Sequence, residues 1–201
     1  MLSAAVFYDS YIFEIRRELE SKMNTKHVLE QFEIIANHYL NELPKYTLEQ
    51  MTRKPSEDEW SLGQMYIHLV GSALFMQLRN LELCREQEST SVSNERSEMV
   101  KAIFAAGSFP PERIRVPASP QYTPKQPESL EEMAQGLRAV IARMREIEPT
   151  LAAIPADRMV AHPRMGLLNA VEWFIIVEMH YRHHLLQKER LDFFLRSTAS
   201  A

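Results

Sequence analysis

A single cysteine, Cys84, excludes an intramolecular disulfide framework and every cysteine-rich zinc module, and it fits a reducing compartment. Five glycines and 11 prolines are too few for a low-complexity or collagen-like chain. Basic residues are not in excess either. Lys and Arg number 23 against 27 Asp and Glu, a formal net charge of −4, so the cationic surface that grips a phosphate backbone is missing and no nucleic-acid partner is expected. The longest apolar run in the C-terminal third covers residues 173–177, far short of the roughly 20 residues that span a bilayer, so no membrane segment is expected. Residues 1–13 are fairly apolar but lack a basic leading region and carry Asp9, which argues against a targeting sequence. The expected location is cytoplasmic. What is present, 45% hydrophobic and 9% aromatic residues in a chain of 201, is enough to fold one domain with a sizeable core.

Helical periodicity dominates. Val28, Phe32, Ile35 and Tyr39 recur at spacings of three and four until Pro44. A short helical turn is expected at residues 47–50. A second helix opens at Ser61 and Gln64, a capping box, with Trp60 and Met65 as the flanking apolar pair, and is expected to run continuously to about Cys84. A polar and then proline-rich connection follows, with a short helix near residues 99–105; its 109–127 stretch is unusually long for a helix–helix link. The third helix opens at Ser129 and Glu132, carries Leu130, Met133, Leu137, Val140, Met144 and Ile147 in period, and stops at Pro149. The fourth opens at Asn169 and Glu172 and continues to about Phe194. No strand alternation stands out. The expected fold is all-α: a four-helix bundle over residues 23–201, a long crossover between its second and third helices, and an N-terminal extension over 1–22 with a weaker helix at 8–20.

Seven histidines remain to be placed. His27 and His38 lie about 16 Å apart along one helix, too far to share an ion, and read as surface residues. His180 and His184 differ, because one helical turn lets two imidazoles converge on one ion. The same spacing fits a solvated polar face equally well, but the apolar 173–177 run just before it argues for burial. His68, two turns into the second helix among Met65, Ile67, Leu69 and Val70, reads by itself as a core histidine; with the pair it completes three neutral nitrogen donors and leaves one position open. Tyr181 follows His180 where a zinc-protease helix needs Glu, and no histidine has Glu three residues earlier, as di-iron bundles require. Cys84, about 24 Å along the helix from His68, cannot join. Gln187 could orient a ligand or meet substrate. His183 reads as a neighbour of the pair, His162 as a turn residue, and Tyr66, Tyr181 and Arg182 as candidates for the rim of an entrance.

Residues 60–69, Trp-Ser-Leu-Gly-Gln-Met-Tyr-Ile-His-Leu, together with residues 162–173 and the His180-Tyr-Arg-His-His184-Leu-Leu-Gln187 segment, resemble the two signature segments of the DinB-like (DinB/YfiT) superfamily in order and spacing. The resemblance implies a four-helix bundle holding a divalent metal on His68, His180 and His184, with Zn²⁺ or Ni²⁺ the ions that three imidazoles suit best. It also implies homodimers, and activities that include metal-dependent transfer of low-molecular-weight thiols to electrophiles and thiol-dependent isomerisation. Fold restricts activity only loosely. Two readings of function therefore stand: an enzyme that takes a small thiol and an electrophile as substrates, or a non-catalytic, stress-related binding or dimerisation module with a structural or vestigial ion. Gln64 departs from the acidic residue frequent at that cap, and either type can close it.

Overall fold

Asn24 opens the first helix of the computed structural model, which describes residues 24–88, 97–111 and 123–198. Its side-chain oxygen accepts from the amides of Lys26 and His27, 3.0 and 3.3 Å away, satisfying donors that a helix start leaves open. Helix α1 (Thr25–Glu42) buries Val28, Phe32, Ile35, Ala36 and Tyr39 on the face read from the sequence. A 3-10 turn at Leu43–Lys45, with Pro44 inside it, leads to the short α2 (Leu48–Thr52), the helical turn that the sequence predicts. The expected helix at 8–20 lies outside the described residues, as do residues 112–122 of the proline-rich crossover.

Helix α3 (Leu62–Ser72) starts on the expected capping box: the Gln64 amide donates to Ser61 Oγ at 3.1 Å, and the Ser61 amide donates to Gln64 Oε1 at 3.0 Å. The box does more than cap. Gln64 Nε2 donates to the Pro124 carbonyl at 2.7 Å, Ser61 Oγ donates to Gln126 Oε1 at 2.8 Å, and Gln126 Nε2 donates to the Thr52 carbonyl at 3.2 Å. The end of the crossover is thereby fastened to the helix start. Gly63 permits it, since a Cβ there would overlap Pro127 Cγ.

The second helix is not a continuous α-helix to Cys84. A π turn at Ala73–Gln77 joins α3 to α4 (Leu78–Glu86). One extra residue in the repeat rotates the rest of the helix by roughly 100°. The buried positions move on accordingly, from Leu62, Met65 and Leu69 to Leu78, Leu81 and Cys84, and Phe75 is turned outward. The remaining helices are α5 (Glu98–Ala106), α6 (Leu130–Ile147) and α7 (Ala170–Thr198).

The expectation of no strand is corrected by an antiparallel hairpin, β1 (Met159–His162) and β2 (Gly166–Asn169), with His162 paired to Gly166. Four-residue strands are too short to display alternation. Gly166 takes the left-handed φ of 73° that a tight hairpin loop demands. His162 is therefore a strand-end residue, and its Nδ1 accepts the amides of Arg164 and Met165 at 3.1 and 3.2 Å, closing the loop. Asn169 and Glu172 then form the reciprocal cap that starts α7.

The described chain is thus mostly helical, with one small sheet. Helix α7 packs against α1, α3 and α4, and α6 packs against α1 and α3. Gly136 brings α6 close to α3, because a Cβ there would meet Val70 Cγ1 at 2.8 Å, two residues from His68. A chain of tyrosines ties the other side together. Tyr66 Oη donates to the Tyr39 carbonyl at 3.1 Å, and Tyr39 Oη donates to the Tyr181 carbonyl at 3.0 Å, with the rings in edge-to-face contact. Each such ring pair contributes on the order of 1 kcal/mol beyond its burial. Among the described residues no helix is long and apolar enough to cross a membrane.

Candidate metal centre

Helix α7 is buried at every position from Glu172 to Met179, and in the turn after it Tyr181 and His184 are buried, His180 and His183 half-buried and Arg182 exposed. His180 and His184 project from that turn, and His68 meets them from α3. The Nε2 atom of His180 lies 3.1 Å from His68 Nε2 and 3.1 Å from His184 Nε2. One ring nitrogen from each of the three falls within 4.8 Å of the others. Of the two arrangements that the spacing of His180 and His184 allows, the fold adopts the converging one.

Burial sets the protonation of this cluster. Desolvation pulls His68 down to about 4, and pulls His184 down to about 3 with the His68 imidazole as a further contribution. His180 is held well below the usual imidazole range, first by burial and then by His184 and His68. All three are neutral at pH 7, the state in which an imidazole nitrogen carries a lone pair for a cation.

Hydrogen bonds among the three rings alone do not satisfy them. His184 Nδ1 faces Gln187 Oε1 at 2.8 Å and His68 Nδ1 faces Ser72 Oγ at 3.4 Å. With protons on those outer nitrogens, two lone pairs meet in the middle, and His180 Nε2 has one hydrogen to give at most. His180 Nδ1 is buried with no hydrogen-bond partner among the described residues. A cation resolves the mismatch. Nitrogens about 2.0–2.1 Å from a tetrahedral ion stand roughly 3.3 Å apart, close to the two 3.1 Å separations from His180, while the third pair lies within 4.8 Å. The residues present fit a divalent metal.

The surroundings are aromatic and largely uncharged. The Trp60 ring lies 4.8 Å from the His68 ring. His183, read as a neighbour, is one: its ring stands edge-on to His184 at 5.6 Å and touches Phe109 at 6.0 Å, and its nitrogens are outside the cluster of three. Arg182 pairs with Glu178 at 2.7 Å and donates to the Gly107 carbonyl, so α5 and the residues after it are pinned beside the centre. Tyr66 and Tyr181 do not rim an entrance. Both are wholly buried, Tyr181 against Phe32 and Tyr39, because position 181 turns toward the core as 180 turns toward α3. His27 and His38 are exposed, as expected. The Cys84 thiol is buried, donates to the Leu168 carbonyl at 3.6 Å and is pushed up to about 11 by burial.

Sequence reasoning missed the next turns of α7. Lys188, only 3% exposed, donates to Asp192 Oδ2 at 2.7 Å and Tyr46 Oη at 3.0 Å, with Glu42 at 3.5 Å, while Tyr46 Oη donates to Asp192 Oδ1 at 2.7 Å. The spacing of four from His184 to Lys188 to Asp192 was the available signal, but its partners come from 142 or more positions earlier in the chain. The apolar wall contributed by Trp60 and Phe109 was likewise not visible.

The chain matches the family described as the DinB superfamily over residues 31–187, a span that holds all three histidines and ends at Gln187. No curated protein matches it.

Proposed function

We infer the function of this chain from its family and its histidines: it belongs to the DinB superfamily, and we read it as a four-helix-bundle protein that holds one divalent cation, Zn²⁺ or Ni²⁺, on His68, His180 and His184. The observation that carries this reading is the convergence of three neutral imidazoles from two helices, His184 buried and His68 and His180 half-buried. When bound, the ion supplies a Lewis acid that stabilises the anionic form of a group at its remaining position.

The reaction we propose is transfer of a small thiol to an electrophile. The chain's own residues favour an external thiol, since Cys84 is buried, engaged with a carbonyl and pushed up to about 11. Three neutral ligands leave the cation its full charge, which suits a thiolate. Among the described residues, no Asp or Glu belongs to the three-histidine cluster. Trp60 places apolar surface beside the His68 ring, and Phe109 does so beside the neighbouring His183.

The test is to assay zinc- and nickel-loaded protein with several cellular thiols against a chlorodinitrobenzene or bimane electrophile, beside His180→Ala. Metal-dependent conjugation that the variant loses is the expected result. Equal rates in parent and variant with every thiol overturn the transferase reading and leave a non-catalytic ion-holding module.

A further inference from the structure

Behind the three facing nitrogens the outer contacts are unequal. His184 Nδ1 lies 2.8 Å from Gln187 Oε1, three residues on in α7. His68 Nδ1 is 3.4 Å from the Ser72 hydroxyl, which can donate or accept. His180 Nδ1 has no hydrogen-bond partner among the described residues. Of the three, His184 alone meets a side-chain oxygen at short range.

We propose that Gln187 is a positioning residue, whose Oε1 accepts the Nδ1 proton of His184 and so keeps the Nε2 lone pair turned toward His68 and His180. The inference rests on reading the three histidines as a metal centre, and deepens it. A neutral imidazole carries one proton, so fixing it on Nδ1 frees Nε2. The amide turned the other way does the opposite. Gln187 Nε2 would then donate to Nδ1, the proton would sit on His184 Nε2, and that nitrogen, 3.1 Å from His180 Nε2, would spend itself on a histidine–histidine hydrogen bond. The orientation of one side-chain amide thus separates a ligand-ready ring from a blocked one. An amide also accepts the hydrogen bond without bringing a negative charge beside the centre, so the ion's charge is not offset from the outer shell.

The experiment uses the full chain, labelled with ¹⁵N-histidine and freed of metal, at pH 7.5. Long-range ¹H–¹⁵N correlation is expected to show His184 as the Nδ1–H tautomer in the parent. Gln187→Ala should show a tautomer mixture, and its Kd for Zn²⁺, measured by competition with a chromophoric chelator, should weaken about tenfold or more. Gln187→Glu, an acceptor only, should restore the Nδ1–H form and at least parent affinity; a merely structural role would not move the tautomer or be rescued this way. A parent with the proton on Nε2, or an alanine variant with parent tautomer and parent affinity, overturns the proposal. If the parent binds neither Zn²⁺ nor Ni²⁺, the metal reading fails, and the metal-free tautomers still decide whether Gln187 sets the proton.

Discussion

The Nε2 atoms of His68 and His180 lie 3.1 Å apart although 112 positions separate the residues in the chain. The contact depends on how closely α3, α6 and α7 approach, and that approach is set at a distance from the rings. Gly136 lets α6 close on Val70, and the tyrosine chain from Tyr66 through Tyr39 to Tyr181 fixes α3 and α1 against α7. The histidines meet because the scaffold brings them together, and three neutral rings facing one another gain little from one another without a cation.

Replacing Gln64 by Glu should destabilise the protein by about 1–3 kcal/mol at neutral pH, although both residues can close a capping box. The amide donates to the Pro124 carbonyl at 2.7 Å, and a carboxylate would place two acceptors face to face there. Protonation of the new carboxyl restores a donor, so the gap in denaturation midpoint between variant and parent should be smaller at pH 5 than at pH 7.5. A constant gap would mean that the Pro124 contact is not its source.

Lys188→Ala should cost about 1–3 kcal/mol, more than an ordinary helix substitution, because it removes the cation beside half-buried Asp192, whereas Glu42 keeps Lys45 at 2.6 Å. Urea denaturation of parent, Lys188→Ala and Lys188→Ala with Asp192→Asn measures it. The double variant should recover part of the loss. If the single variant costs under about 1 kcal/mol, the cluster is behaving as a surface ion pair.

Much of this was legible in the sequence. Helix starts were, because caps are local: Ser61 with Gln64 and Asn169 with Glu172 declare themselves within four residues. The pairing of His180 with His184 was legible for the same reason. The hairpin was not, since its strands are four residues long and its loop turns on Gly166. The π turn left no mark in composition, and the second role of Gln64 depends on a chain segment 60 positions away. Tyr181 was misplaced because spacing on a helix says which residues share a face, and not which face meets the core.

The metal-free protein should lose stability as the pH falls from 7 to 5.5. Unfolded imidazoles titrate near 6.5, whereas His68 and His184 in the folded chain are pulled to about 4 and about 3, and His180 well down. Below the unfolded pKa the unfolded chain takes up protons that the folded one does not, so stability is full above that range and falls beneath it. Each such ring adds a slope of up to about 1.4 kcal/mol per pH unit. Urea midpoints at half-unit intervals measure this, and a flat profile from pH 7 to 5.5 would contradict a neutral, desolvated cluster.

Titration of the metal-free chain with Zn²⁺ and Ni²⁺ by calorimetry, alongside His68→Ala, His180→Ala and His184→Ala, measures whether the three imidazoles hold one ion. One ion per chain is expected for the parent and at least about tenfold weaker binding for each variant, with the fold intact by circular dichroism. Parent-level affinity in any of the three variants, or no binding of either ion by a folded parent, would contradict it.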